Sequence, residues 1–325
     1  MNVLGVFLGV AALSAGACAL DARSLRAEGA FDRTLSVSES VELEAHTASG
    51  TIRIQTGDPG VVRVRGRVRC ANFWTGLDAE GCVRRIESAP PIEQSGSTIR
   101  LGALEKYWPW GGVRLDFDVT VPADAHVRTR TASGDQVVSG LRGPLEAGAA
   151  SGDIRISNVS GTVHVSTASG RIELNGSEAA VLARAASGSI TAMAIKGDIE
   201  AHTSSGRVFV SQTANGQADI TSSSGNITVS NAHGPLRLRT ASGAVAVNGE
   251  PAGAWTVRAA SGDVVVDVGA DAGFDLDARS GSGRINSAHP VTMTGHVSRR
   301  QLSGRVRGGG PRLEISTASG AIRIR

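Results

Sequence analysis

The sequence predicts an all-β protein, a parallel β-solenoid with coils of about 18 residues and two strands per coil. Three observations predict this fold class. Glycine recurs every nine residues over much of the chain, apolar residues alternate after each glycine, and serine precedes every second glycine. Because internal repetition decides a whole fold, it takes precedence over any local feature.

The glycine series begins at Gly134 and ends at Gly262. Twelve of its 14 steps are nine residues long, and Ala179 occupies the one register without glycine. The residues two and four places after each mark are apolar in 29 of 30 cases, with Gln136 as the exception. This alternation is typical of a strand with one buried face. Each unit therefore predicts one short strand, and its glycine predicts a turn with positive φ.

Serine precedes glycine at every second mark of the series, whereas the intervening marks have other residues there except for Ser160. It does so at Ser133, Ser151, Ser169, Ser187, Ser205, Ser224, Ser242 and Ser261. Strands this short are stable only when stacked on equivalent strands. The alternation predicts a flattened solenoid with two sheets and all Ser-Gly corners along one edge. A three-sided coil of 27 residues is the structural alternative, and the serine alternation disfavours it.

The N-terminus predicts export. Residues Val3–Ala19 are almost wholly apolar and end in Ala15, Gly16 and Ala17 before Cys18. This pattern is typical of a secretory signal, although no Lys or Arg lies near Met1. Cys18 is a candidate lipidation site, which would anchor the protein to a membrane. We expect three regions, namely a signal or lipoprotein signal at 1–18, an irregular β region at 19–130 and solenoid repeats at 131–325.

The two remaining cysteines, Cys70 and Cys82, predict a disulfide, because an even cysteine count in an exported chain favours pairing. The stretch "VVRVRGRVRC" ends at Cys70 and places Arg63, Arg65, Arg67 and Arg69 on one face of a strand. This stripe is a candidate for binding lipid headgroups, anionic glycan or nucleic acid. The simpler interpretations are a solvated strand face or a charged guard against edge pairing. A net charge of +3 over 325 residues does not favour nucleic acid.

Aromatic residues are few and unevenly placed. Ten follow the signal, and six of them lie between Phe73 and Phe117. Exposed Trp and Tyr on loops are typical of recognition surfaces, whereas a solenoid end also needs apolar residues to cover its core. The candidate binding residues, with a cap as the alternative role, are Phe73, Trp74, Tyr107, Trp108 and Trp110.

The sequence carries no catalytic or metal-binding motif, so we predict no catalytic residues, no metal and no cofactor. The seven histidines lack metal-ligand spacing. Asp135, Asp153, Asp198 and Asp263 follow turn glycines but lack the regular double glycine of calcium-binding repeats. A polysaccharide-active enzyme is the main alternative and would need clustered carboxylates. Its candidates are Asp78, Glu80, Glu93, Glu105, Asp116 and Asp118.

The stretch "DFDVTVPADAHVRTRTASGDQVVSGLRGPLEAGAASGDIRIS", from Asp116 to Ser157, resembles the bacterial putative-adhesin family, which is built of Ser-Gly-x-Ile/Val strand repeats and has no established function. The resemblance covers most of Phe31 to Arg325. It implies an envelope or surface protein, often with an export or lipid signal, and brings no catalytic residues. The Cys70–Cys82 loop and the insertion around Trp108 depart from the plain repeat.

We therefore expect a non-enzymatic, exported adhesin-like or scaffolding protein in the periplasm, outer membrane or cell surface. Its expected partners are an envelope glycan or another envelope protein, with membrane contact through a lipid anchor if Cys18 is modified, and no nucleic acid. An envelope-stress or regulatory protein-binding module is a further alternative. The chain ends on the strand "SGAIRIR", which predicts an open solenoid end that Arg323 and Arg325 guard or that docks a partner.

Overall fold

The protein is a parallel β-solenoid with two sheets. The computed structural model describes residues 26–38, 40–71, 79–102, 112–293 and 298–325. In that part of the chain one sheet has 14 strands and the other has 15. Successive strands of the repeats alternate between the sheets, so each coil adds one strand to each sheet. The predicted fold class is confirmed, with two sides to the coil and not three.

The N-terminal elements are β1 Arg26–Ser36, β2 Glu42–Ser49, β3 Ile52–Gly57, β4 Val61–Ala71, α1 Ala79–Ser88, β5 Ile92–Ser95, β6 Thr98–Leu101 and β7 Val113–Pro122. The regular coils comprise β8 His126–Ser133, β9 Gln136–Ser139, β10 Leu145–Ala149, β11 Ile154–Val159, β12 Val163–Thr167, β13 Ile172–Ser177, β14 Val181–Ala185, β15 Ile190–Ile195, β16 Ile199–Thr203, β17 Val208–Gln212, β18 Ala218–Ser222, β19 Ile227–Ala232, β20 Leu236–Ser242, β21 Val245–Gly249, β22 Trp255–Ser261 and β23 Val264–Val268. The C-terminal strands are β24 Phe274–Ser280, β25 Ile285–Ser287, β26 Val291–Met293, β27 Gln301–Val306, β28 Arg312–Ser319 and β29 Ile322–Ile324.

The register reproduces the sequence period. Leu145 of β10 pairs with Val163 of β12, which is an offset of 18 residues (163 minus 145). Ile199 of β16 pairs with Ala218 of β18, an offset of 19 residues (218 minus 199), because one glycine step there is ten residues long. The inward apolar residues of both sheets form one continuous core.

Glycine occupies the Ser-Gly corners because no side chain fits there. A Cβ added to Gly170 would overlap the carbonyl oxygen of Gly152 in the preceding coil. The predicted reason, positive φ, applies to only three glycines of this corner, Gly50, Gly262 and Gly320. Close approach of successive coils is therefore the general reason. In stacking order the glycine column is Gly50, Gly134, Gly152, Gly170, Gly188, Gly206, Gly225, Gly243, Gly262, Gly320 and Gly283.

Buried hydroxyl groups line the inner side of this corner, three residues before the glycine. The hydroxyl of Thr167 accepts the N–H of Gly170 at 3.0 Å and donates to the carbonyl oxygen of Gly152 at 3.4 Å. Buried backbone groups need partners, and these hydroxyls satisfy groups that the turn removes from the strand ladder. The buried hydroxyl residues at this position, three before a corner glycine, are Thr47, Thr131, Thr167, Thr203, Ser222, Thr240, Ser280 and Thr317.

A second column, at the ends of strands in the 14-stranded sheet, has left-handed backbone. Its members have φ values between 53° and 80° and are Gly140, Asn158, Gly176, Ala194 and Asn231. Glycine and asparagine tolerate this conformation, whereas the Cβ of an alanine is strained in it. Ala194 is thus the one alanine in a column that favours glycine or asparagine.

Replacing Ala194 with glycine should raise the free energy of unfolding by about 1 kcal/mol, because it removes the left-handed Cβ strain. Urea titration followed by circular dichroism measures the change. Ala246 is the matched control, since it is exposed in β21 and has ordinary strand backbone. Ala246→Gly should lower stability by roughly 0.5–1 kcal/mol. The same sign of effect in both variants would contradict this explanation.

At the C-terminal end of the solenoid the last coil is inserted between earlier strands. The last coil, β28 and β29, lies between β22–β23 on one side and β24–β25 on the other. The antiparallel strands β27 and β26 then extend the sheet beyond β24. The expectation of an open end at Arg323 and Arg325 is therefore wrong, because β29 is paired on both sides.

At the N-terminal end a coil is likewise inserted between strands that are not its neighbours in sequence. The coil β2–β3 lies between β8–β9 and β6–β7. β4 and β1 then extend one sheet in antiparallel order beyond β7, and β5 extends the other beyond β6. Both sheets therefore run without interruption from the N-terminal region into the repeats.

The helix α1 packs on β1 and β4 and was not predicted. Its buried residues are Ala79, Cys82, Val83 and Ile86, at the i, i+3, i+4 and i+7 positions that indicate an amphipathic helix. A disulfide joins Cys82 of α1 to Cys70 at the end of β4, as predicted. In the part of the chain with described structure, no helix has the length and apolarity to cross a membrane.

Candidate functional site: an arginine cluster

Four arginines of β4 lie on the outer face of the 14-stranded sheet. The alternate residues Val62, Val64 and Val68 are fully buried in the core, so the arginines between them face outward. β4 pairs with β1 on one side and β7 on the other. It is not an edge strand, so the interpretation of this stripe as a guard against edge pairing is wrong.

Neighbouring strands add further charged residues to this face. We call the arginine cluster the group Arg53, Arg65, Arg67, Arg69 and Arg114, which surrounds Asp116 and Asp118. These residues line a depression of about 260 Å³. Across the strands, Arg67 lies opposite Asp116, and both Arg65 and Arg53 lie opposite Asp118. Five arginines against two aspartates leave the depression positive.

Asp116 organises one end of the cluster. Its carboxylate pairs with Arg69, lies 3.4 Å from Nε of Arg114 and accepts the backbone N–H of Thr51 at 2.8 Å. Burial works to raise the pKa of Asp116. The Thr51 N–H and the two guanidinium groups outweigh it and hold the pKa below its usual range. Asp116 is therefore ionised at neutral pH and fixes two of the arginines.

Two of the other three arginines of the cluster are unpaired among the described residues. Arg65 pairs with Asp32 at 3.3 Å. Arg53 and Arg67 are exposed, and their guanidinium groups make no ion pair or hydrogen bond with the residues that the structure describes. Guanidinium groups bind carboxylate and phosphate through paired N–H donors. The arrangement is suited to an anionic ligand between Arg53 and Arg67.

The candidate carboxylates of the enzymatic alternative are only partly brought together. Asp116 and Asp118 share the depression, whereas Glu80 lies on α1 and Glu93 on β5 of the other sheet. Asp78 and Glu105 lie outside the described residues. General acid catalysis by a carboxyl group needs a raised pKa, and the pKa of Asp116 is lowered. The lowered pKa of Asp116 does not suit it to the role of the general acid.

The aspartates that follow turn glycines bind the backbone. Asp153 accepts the N–H of Arg171 at 2.9 Å, and Asp263 accepts the N–H of Ala321 at 2.9 Å. Each carboxylate thereby joins its own coil to the next one in the stack. Within the described ranges, no group of three or more His, Cys, Asp or Glu side chains is arranged to hold a metal ion.

The candidate aromatic residues Phe73, Trp74, Tyr107, Trp108 and Trp110 lie outside the described residues, as does the candidate lipidation site Cys18. The aromatic candidates lie in two segments, 72–78 and 103–111, and the chain on either side of each segment is described. One end of the first segment lies close to one end of the second. The N–H of Ala71, which precedes one segment, donates to the carbonyl of Gly112, which follows the other, at 3.1 Å. One end of each segment therefore joins the solenoid beside Arg69 and Arg114.

Phe117 belongs to the aromatic group of the sequence but has a different role. It is buried in the core and makes an edge-to-face contact with Phe31, with ring centroids 6.5 Å apart. Sequence reasoning found the β4 stripe but missed Arg53 and Arg114. Nothing in their local sequence indicates the cluster, because they reach it only through the pairing of β3 and β4 with β7.

The architecture and the site define a repeat protein, a two-sheet parallel β-solenoid with a cluster of charged side chains on one outer face. Residues 161–325, just over half of the chain, match the model of the Toastrack DUF4097 family. The chain belongs to this family, in agreement with the predicted resemblance.

Two solved structures are similar over most of the chain. A putative adhesin from Bacteroides fragilis has 11% identity and a TM-score of 0.36, with 91% of this chain and 97% of that chain covered. A putative cell adhesion protein from Clostridium sporogenes has 11% identity and a TM-score of 0.20, with 91% of this chain and 99% of that chain covered. No curated protein matches the sequence.

Proposed function

We propose that the protein is a non-enzymatic, exported, adhesin-like module of the bacterial envelope that binds an anionic envelope polysaccharide through the arginine cluster. The observation that carries the proposal is the pair Arg53 and Arg67, which lie in a positive depression without an ion-pair partner among the described residues. The affinity would come from charge-assisted hydrogen bonds to carboxylate or phosphate groups.

Two further features support export. The disulfide between Cys70 and Cys82 is typical of proteins from oxidising compartments, and the N-terminal sequence resembles a secretory signal. A lipid on Cys18 would hold the rod at a membrane surface. Trp74, Trp108 and Trp110 remain candidate binding residues, because exposed aromatic side chains are typical of recognition surfaces.

Binding of the full chain to purified lipopolysaccharide tests the proposal, with anionic and neutral vesicles as further probes. We expect Arg53→Ala/Arg67→Ala to weaken lipopolysaccharide binding about tenfold or more, because each arginine supplies charge-assisted bonds. The control is Arg142→Ala/Arg307→Ala, which removes the same charge from arginines paired with Asp124 and Asp271 elsewhere on the surface.

A Trp74→Ala/Trp108→Ala/Trp110→Ala variant tests the aromatic contribution separately. Loss of binding in this folded variant would support a recognition role, and unchanged binding would leave the aromatics as a cap. Equal loss in both arginine double variants would contradict a specific cluster and indicate net charge alone. Absence of lipopolysaccharide binding by the parent chain would overturn the proposal and favour a protein partner.

A further inference from the structure

The outer face of the 15-stranded sheet carries a notch that the arginine cluster does not include. We define the notch by Arg130, Glu146, Gly148, His164, Ser166 and Arg184, which with Leu182 and neighbouring atoms line a depression of about 190 Å³. Arg130, Gly148, Ser166 and Arg184 are consecutive partners across β8, β10, β12 and β14. The notch thus has an arginine at each end and small residues between.

Gly148 has no structural reason to be glycine. Its φ lies outside the left-handed region, and the atoms nearest to an added Cβ are the Ser166 hydroxyl at 3.7 Å and two others at 3.9 Å. This differs from the corner glycines, where a Cβ would overlap backbone. Glycine inside a strand lowers stability and often marks a place where a ligand approaches the backbone.

The floor of the notch is held from inside the solenoid. Gln136, the exceptional polar residue among the inward positions, is completely buried. Its side-chain amide donates to the carbonyl oxygen of Gly148 at 2.6 Å and to the hydroxyl of Thr131 at 3.0 Å. The backbone beneath the notch is therefore fixed before any ligand binds, which reduces the ordering cost of binding.

The charges around the notch favour an acidic ligand with neutral polar groups. The guanidinium of Arg130 makes no ion pair or hydrogen bond in the described part of the chain. That of Arg184 has only Glu200 at 3.8 Å. Glu146 lies on the same face, 3.4 Å from Nε of Arg128, and His164 stands exposed beside it.

Carbohydrate fits this lining better than nucleic acid does. Glu146, His164 and Ser166 can exchange hydrogen bonds with sugar hydroxyls, and the half-buried Leu182 offers a nonpolar surface for a ring face. A single-stranded nucleic acid would need aromatic stacking residues, which the lining lacks, and Glu146 would repel its phosphates. Arg130 and Arg184 lie three strand spacings apart, roughly 14 Å, which suits an extended chain and not a single small anion.

From these observations we infer that the notch is a second binding site, specific for an acidic oligosaccharide whose carboxylate groups pair with Arg130 and Arg184. It lies on the opposite sheet from the arginine cluster and does not depend on the function proposed for that cluster. With both sites occupied, one rod could link two polysaccharide chains.

The test is isothermal titration of tetragalacturonic acid into the full chain carrying Arg53→Ala/Arg67→Ala, so that the arginine cluster does not contribute. Gly148→Leu fills the notch, and Arg130→Ala removes its unpaired charge. We expect each variant to weaken binding about tenfold or more. The leucine side chain would occupy the space of the ligand, and the loss of Arg130 would remove charge-assisted hydrogen bonds. Ala246→Leu is the matched control and should bind within about threefold of the parent, because Ala246 is an exposed small residue on the other sheet.

Maltotetraose and a short single-stranded DNA serve as the neutral and nucleic-acid probes. We expect neither to compete with the acidic tetramer. Unchanged binding in both Gly148→Leu and Arg130→Ala, absence of binding by the tetramer, or tighter binding of DNA would overturn the inference. If Gly148→Leu fails to fold, the Arg130→Ala result decides. These outcomes are independent of lipopolysaccharide binding at the arginine cluster.

Discussion

Replacing Gly170 with alanine should destabilise the protein by about 3 kcal/mol. This is the upper end of the usual cost of adding atoms to a well-packed site. The added Cβ would overlap the carbonyl oxygen and carbon of Gly152, and both belong to the backbone of the preceding coil. Backbone atoms cannot move aside as a flexible side chain can. The coils would have to separate at this corner, which would also disturb the bonds of Thr167 to Gly152 and Gly170.

Urea unfolding of parent and variant, followed by circular dichroism, measures this effect. Gly148→Ala is the matched control, because Gly148 is also a glycine of a regular coil without positive φ, but a Cβ added there would make only ordinary van der Waals contacts. It should be neutral or slightly stabilising, by at most about 1 kcal/mol. Equal destabilisation by the two substitutions would show that the corner is not limited by close approach.

The location of the change adds a second expectation. In a repeat protein each coil contacts mainly its neighbours, so a break in the middle uncouples the two halves. We expect Gly170→Ala to broaden the unfolding transition, with hydrogen exchange fastest in β11 and β13. A single sharp transition shifted to lower urea would instead indicate that the defect spreads over the whole stack.

Breaking the Cys70–Cys82 disulfide should lower stability by about 3 kcal/mol, because the bridge closes a short loop in the unfolded chain. The bridge joins residues 12 apart in sequence and ties α1 to the end of β4. Without it, α1 depends on the burial of Val83 and Ile86 and on the bond from the Ala30 N–H to Glu87. We therefore expect α1 and the strand β1 beneath it to unfold before the rest of the solenoid.

Urea unfolding with and without a thiol reductant measures this prediction. The control is Cys70→Ala/Cys82→Ala, which should be as weak as the reduced parent and insensitive to the reductant. Hydrogen exchange should rise in α1 and β1 while β12 and β14 stay protected. A reductant effect of the same size in the double variant would mean that the stability change does not come from this bridge.

Much of the architecture follows from the sequence alone, for a simple physical reason. Strand pairing in a solenoid is local in register, so a period of nine residues with alternating apolar side chains determines the strand, and the serine alternation determines the coil. Family resemblance, the two-sheet class and the disulfide between Cys70 and Cys82 were accessible in the same way, because each depends on spacing along the chain.

Other features depended on contacts between distant segments. The corner glycines are required because each preceding coil lies so close to them. The order of strands at the C-terminal end depends on the insertion of β28 and β29 between earlier strands. The apolar residues of α1 have helical spacing in the sequence, but the β-repeat interpretation did not use it. Its position over β1 could not be known from that spacing.

The candidate sites show the same division. The sequence identified the outward arginines of β4, since period-two alternation places them on one face. Only the tertiary structure brought Arg53, Arg114 and Asp116 to them, through pairings between residues about 50 positions apart, such as Arg67 with Asp116. The notch likewise exists because four successive coils align Arg130, Gly148, Ser166 and Arg184. Sequence thus determined the repeating fold, whereas the surface chemistry was decided by which residues the stacking of coils made neighbours.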